Sequence, residues 1–162
     1  MFEERLTGGK MEWPNQARMA VLMTFDYQAE VGAPTLPRGK INYAIHTERM
    51  YGGRHGIWRV LDILDKYGIK STFFVSGVTA ERYPESVRAM RDRGHDIAGH
   101  AYAHEELHLF SRAEEKEIIG KTIASIEKVS GVRPLGWRSP KVLISENTLE
   151  LLAEYDFVYN SD

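Results

Sequence analysis

Four of the six histidines in this 162-residue chain, His95, His100, His104 and His108, fall within one run, GHDIAGHAYAHEELHLF. Imidazole is the commonest metal ligand in proteins and the side chain most readily tuned for proton transfer near neutral pH. Such density directly after a short apolar run points to a metal centre at the end of a strand. His100 and His104 lie four apart behind Gly99. In a helical turn or tight loop that spacing brings both rings to one side, able to share a cation. Two further groups stand at strand ends: Asp26 after MAVLMTF, and Arg138 at the end of LGWR. Ligands of parallel α/β folds collect at the carboxyl ends of strands. A carboxylate, two imidazoles and a guanidinium therefore converge on one rim. The plain alternative for Asp26 and Arg138 is a structural salt bridge, because a carboxylate buried without a partner is costly.

The run His104-Glu105-Glu106-Leu107-His108 also fits HExxH, the zinc peptidase signature. That chemistry needs both histidines on one face of a helix. The capping pattern at Ser111 starts a new helix three residues after His108 and leaves a longer one little room. His95, inside the short strand, and His46 and His55, in or beside a long loop, are read as structural or substrate-adjacent.

The elements that position these groups alternate. Met19–Phe25 is a nearly continuous apolar run, the pattern of a strand buried on both faces. An irregular stretch from Tyr27 to Gly56 follows, rich in glycine and proline, and a loop of that length is more often functional than idle. Ile57, Val60, Leu61 and Leu64 mark one helix face, closed by Gly68. Ser71–Val75 and His95–Ala98 read as strands, with a helix from Pro84 to Gly94 between them. Ser111 to Glu114 is a capping box opening a helix that ends at Gly131. Leu135–Arg138 is a strand, Glu146–Glu154 a helix and Phe157–Tyr159 a strand. The expected class is α/β with parallel strands. The last strand falls within three residues of Asp162, which points to a partial domain or an edge covered by a partner.

Composition narrows the functions. A net charge of −2 offers nothing to nucleic acid or an anionic membrane. Without cysteine there are no disulfides and no thiolate metal ligands. No run approaches the ~20 apolar residues that span a bilayer, and MFEERLTGGKMEWPNQ lacks the form of a signal peptide. A cytoplasmic single domain over residues 1–162 is expected.

With these residues in view, the chain resembles the polysaccharide deacetylase superfamily, the NodB homology domain of carbohydrate esterase family 4. The motifs are TFD (Thr24–Asp26), HAYAH (His100–His104) and WRSP (Trp137–Pro140), supported by YGIKSTFFVSG, RGHDIAGH and ENTLELLAEYDFVYNSD. YGGRHG (Tyr51–Gly56) and the long early loop bring it nearest the cytosolic branch of cyclic-imide hydrolases and allantoinase-like proteins. The resemblance implies the N-terminal part of a distorted (β/α) barrel. It also implies one divalent metal, usually zinc, on His100 and His104, with Asp26 as general base and Arg138 orienting it. The family's further carboxylate ligand falls at Gln28, whose amide is a poorer ligand. Either the metal is weakly held, or Asp26 ligates, or Glu30 substitutes, since alternating residues of an extended chain point the same way; a metal-free site is the remaining option.

The implied reaction is hydrolysis of a non-peptide C–N bond in an acetamido sugar or a small cyclic amide or imide. Two other classes stay open: a degenerate member that binds without catalysis, and the HExxH peptidase. Half a barrel leaves apolar strand edges uncovered, so a homo-oligomer is expected.

Overall fold

The structure, a computed structural model, describes residues 16–162. The segment read as lacking a signal peptide lies almost wholly outside these residues. Strand β1 (Thr24–Tyr27) opens the fold. A two-stranded antiparallel ribbon follows, β2 (Thr35–Leu36) and β3 (Lys40–Ile41). Helix α1 (Tyr43–Tyr51) runs through a π-helical turn at Gly52–Gly56 into α2 (Ile57–Tyr67). Next come β4 (Thr72–Val75), α3 (Gly77–Arg82), α4 (Pro84–Asp92) and β5 (Asp96–Gly99). The chain closes with α5 (Arg112–Ser130), β6 (Gly136–Trp137), α6 (Thr148–Glu154) and β7 (Tyr159–Asn160).

Five strands form one parallel sheet in the order β1-β4-β5-β6-β7, so each new strand adds to the same side. This is the α/β class expected from the alternation. β1 and β7 are its edges. The helices bury two apolar clusters against it. Leu61, Phe73, Val75, Met90 and Ile126 lie in one, and Leu107, Ile119, Ile123, Trp137 and Leu151 in the other.

Local chemistry explains several boundaries. Ser111 accepts from the Glu114 backbone N–H while Glu114 accepts from that of Ser111, the reciprocal cap that starts α5. Gly68 ends α2 in the left-handed conformation at φ 63°.

Three expectations need correction. The early loop is not irregular throughout: it holds the β2–β3 ribbon and α1. Its glycines do not stop the helix, and at Gly53 a Cβ would lie 2.5 Å from the Tyr83 ring, so absence of a side chain there serves close packing. Strand β1 is shorter than the apolar run and includes Asp26. Met19, Val21 and Leu22 are more than 70% exposed, because among the described residues β1 has a strand neighbour, β4, on one side alone. Finally, Gly77–Arg82 forms a helix that hydrophobic periodicity did not announce.

Candidate functional site

Residues at the carboxyl ends of β1, β5, β6 and β7 meet on one rim. Thr24 and Asp26 alternate along β1 and so share a face. Arg138 follows β6 and reaches both. Its Nη1 donates to Asp26 Oδ1 at 2.8 Å and to Thr24 Oγ1 at 3.3 Å. The guanidinium lies over the Phe74 ring, 4.0 Å from its centroid. Beyond β7, Ser161 accepts from Arg138 through its carbonyl at 3.2 Å and its hydroxyl at 2.6 Å. Asp162 accepts from the Ser139 backbone N–H at 2.5 Å and its hydroxyl at 2.9 Å. The arginine is thus gripped from both edge strands, with its side chain 17% exposed, while that of Asp26 stays 45% exposed. The Asp26–Arg138 pairing matches the expectation. The Ser161–Asp162 clamp was not anticipated. The only signal for it in the sequence is a polar NSD run directly after a strand.

The histidines lie beside this pair. His100 follows β5 and is buried; its Nδ1 is 2.8 Å from the Arg138 carbonyl, and its Nε2 is 3.2 Å from Gln28 Oε1. His104 is half-buried, its ring edge-to-face with that of His100 at 5.2 Å between centroids. Burial pushes the His100 pKa below the usual value, with the Arg138 carbonyl and Asp26 opposing. Burial also lowers His104, reinforced by His100 and Lys141. Both shifts favour the neutral imidazole. Gly32 makes room for them: a Cβ there would lie 2.7 Å from His104 Nδ1. A cleft of about 290 Å3 lined by Gly32, Asn42, His46, Arg82 and Ala103 adjoins His104.

His95 is buried at the foot of β5 against Phe73, away from the rim, in line with a structural role. Residues His104–Glu106 have no helical conformation, and exposed His108 sits in a short 3-10 turn, Leu107–Leu109. His104 and His108 therefore do not share the helix face that a zinc peptidase requires.

Glu30 does not stand in for the missing ligand. Turns after Tyr27 aim it elsewhere: Oε1 takes Arg82 at 2.8 Å and Oε2 the Tyr83 hydroxyl at 2.8 Å. Burial alone would raise its pKa. The Glu30 backbone N–H, Tyr83 and Arg82 outweigh that and hold it below the ordinary carboxylate range. Among the described residues, no three His, Asp or Glu side chains converge as a metal set. Two imidazoles and an amide fall one anionic ligand short of the set of two histidines and a carboxylate that holds catalytic zinc. The residues present do not fit a tightly bound zinc ion.

Backbone strain gathers on the same rim. Ala29, Ala101, His104, Lys141 and Val142 all have positive φ, between 48° and 64°. All five lie in the segments that follow β1, β5 and β6.

A five-stranded parallel sheet thus carries carboxylate, guanidinium and paired imidazoles on its carboxyl rim. The polysaccharide deacetylase family model matches residues 15–159, and the chain belongs to that family. It is 32% identical over 147 residues to the peptidoglycan deacetylase-like protein FGM2 of Gibberella zeae, covering 89% of this chain and 44% of that protein. To a peptidoglycan-N-acetylglucosamine deacetylase of Bacillus cereus it is 33% identical over 100 residues, covering 62% and 36%. A Mycobacterium smegmatis structure assigned as a polysaccharide deacetylase superposes with TM-score 0.85 at 36% identity, over 94% of this chain and 54% of that one. The chain thus spans about half the length of these relatives or less.

Proposed function

We propose that this protein hydrolyses a non-peptide amide C–N bond, with an N-acetylated amino sugar as first substrate class and a small cyclic amide or imide as second. Water attacks the amide carbonyl. Asp26 accepts its proton as general base and returns it to the leaving nitrogen as the tetrahedral adduct collapses, so the C–N bond breaks to give a carboxylic acid and an amine. Arg138 holds that carboxylate in place and does not touch the substrate. His100 and His104, as neutral rings, border the space where the carbonyl sits. The observation that carries this reading is the Asp26–Arg138 pair, 2.8 Å apart on the rim and still open to solvent on the aspartate side. The curated relatives supply the sugar class, and the cyclic amides follow from a 26% identical likeness to the Puue allantoinase structure, TM-score 0.81.

The test is a panel of N-acetylglucosamine oligomers, peptidoglycan and cyclic ureides or imides, read by acetate release or ring opening. Asp26→Asn is expected to lower turnover by about 100-fold or more, the usual contribution of a general base. Equal turnover by the variant would overturn the assignment of Asp26. Gln28 favours a second reading, a family member that binds such ligands without cleaving them; wild-type binding with no turnover on any panel member would select it.

A cytoplasmic setting and self-association complete the proposal. Exposed Met19, Val21 and Leu22 beside the open β1 edge support the latter. Light scattering should show a stable oligomer, and a monodisperse monomer would refute it. Among the described residues, no helix is long and apolar enough to cross a membrane.

A further inference from the structure

We infer that Gln28 makes the His100–His104 pair a hydrogen-bonded site that does not hold zinc tightly, and that a carboxylate at position 28 would complete a metal centre there. The inference concerns ion binding alone and is independent of the hydrolytic reading.

The Arg138 carbonyl can only accept, so His100 Nδ1, 2.8 Å away, carries the ring proton. In the neutral ring Nε2 is then an acceptor. Gln28 Oε1 faces it at 3.2 Å, and two acceptors repel. A half-turn of the amide brings its NH2 to Nε2 and satisfies the ring without a cation. The amide that meets the lone pair a zinc ion would need is thus a partner in its own right.

Among the described residues, each carboxylate nearby already has a partner. Asp26 holds Arg138. Glu30 holds Arg82 and Tyr83. Asp162 is bound by Ser139. Glu105 accepts from the Ala103 N–H at 2.7 Å, and Glu106 pairs with Lys141. Both oxygens are taken at Glu30 and Asp162, and Asp26, turned to Arg138, forms no three-ligand group with His100 and His104. Position 28, by contrast, already sets the end of its side chain against His100 Nε2. Replacing the amide by a carboxylate there supplies the anionic third donor without moving the backbone.

The test uses chelator-stripped wild-type protein, Gln28→Asp and Gln28→Glu, two variants because their reach differs. Each is titrated with Zn2+ against a competing chelator, and with Co2+, whose visible absorption reports coordination geometry. Circular dichroism first confirms that each variant folds. The expected result is that at least one variant holds one metal per chain, on the order of 100-fold tighter than wild type. The gain should vanish on adding His100→Ala or His104→Ala. Wild type binding one zinc per chain as tightly as the variants would overturn the inference. Two folded variants with no gain would overturn it equally. No activity enters these readouts, so either failure leaves the proposed hydrolysis to its own test.

Discussion

The two halves of the rim solve opposite problems. On the Asp26–Arg138 side charge is abundant and paired: the guanidinium has an aspartate, a threonine, a strand-end serine and an aromatic face as partners. On the His100–His104 side the direct partners are an amide, a carbonyl and a second imidazole ring. The charged half is complete without any added group, while the neutral half lacks an anion. The difference shows that neighbouring positions of one segment can meet opposite environments: Asp26 in β1 is paired by a cation, while Gln28, just after it, meets a neutral ring.

Perturbations should separate the halves, the largest first. Under the proposed function, loss of Asp26 should lower turnover about 100-fold with little change in stability, since a half-exposed ion pair contributes little by itself. Arg138→Ala should do more structural harm, lowering unfolding free energy by about 2 kcal/mol, the scale of hydrogen bonds involving charged groups. Urea denaturation would measure it, and Arg138→Lys should recover only part, lacking the fork that spans Asp26 and Ser161. Stability unchanged in Arg138→Ala would mean that the β7 clamp is idle. On the neutral side, Gly32→Ala at φ 70° drives a methyl toward His104 Nδ1. A loss of about 1–2 kcal/mol is expected, with a shift in the His104 ring resonances by NMR. The smallest effect is the pH response. Burial lowers both histidines from 6.5, so the unfolded chain takes up protons first. Their contribution to stability is whole above pH 6.5 and fades as pH falls below it. His100→Asn should flatten thermal melting temperatures across that window, and an unchanged profile would remove His100 as a source.

Much of this was legible from residue types. The capping box at Ser111, the αL stop at Gly68 and the α/β alternation translate directly into elements, because each is a local interaction. Asp26, His100 and Arg138 were legible as strand-end groups for the same reason. Helix α1 was hidden: none of its residues is buried, so no apolar stripe marks it, and Gly52, Gly53 and Gly56 read as breakers where the structure continues through a π-helical turn. Glu30 misled because alternation holds only while the chain stays extended, and it turns after Tyr27. The grip of Ser161 and Asp162 on Arg138 and Ser139 spans 23 residues of sequence and leaves no periodic trace.

The left-handed residues around the rim carry one more consequence. Five side chains with a Cβ, one of them the β-branched Val142, occupy a conformation that glycine takes freely. Strain at such positions costs on the order of 1–3 kcal/mol each. The protein therefore keeps a reserve of unrealised stability along this rim. Val142→Gly, at an exposed position, is the rare kind of change that should raise the melting temperature by removing a side chain. What such variants surrender is a fixed outline around His104, so selection for heat resistance alone would erode this rim before it touched the core.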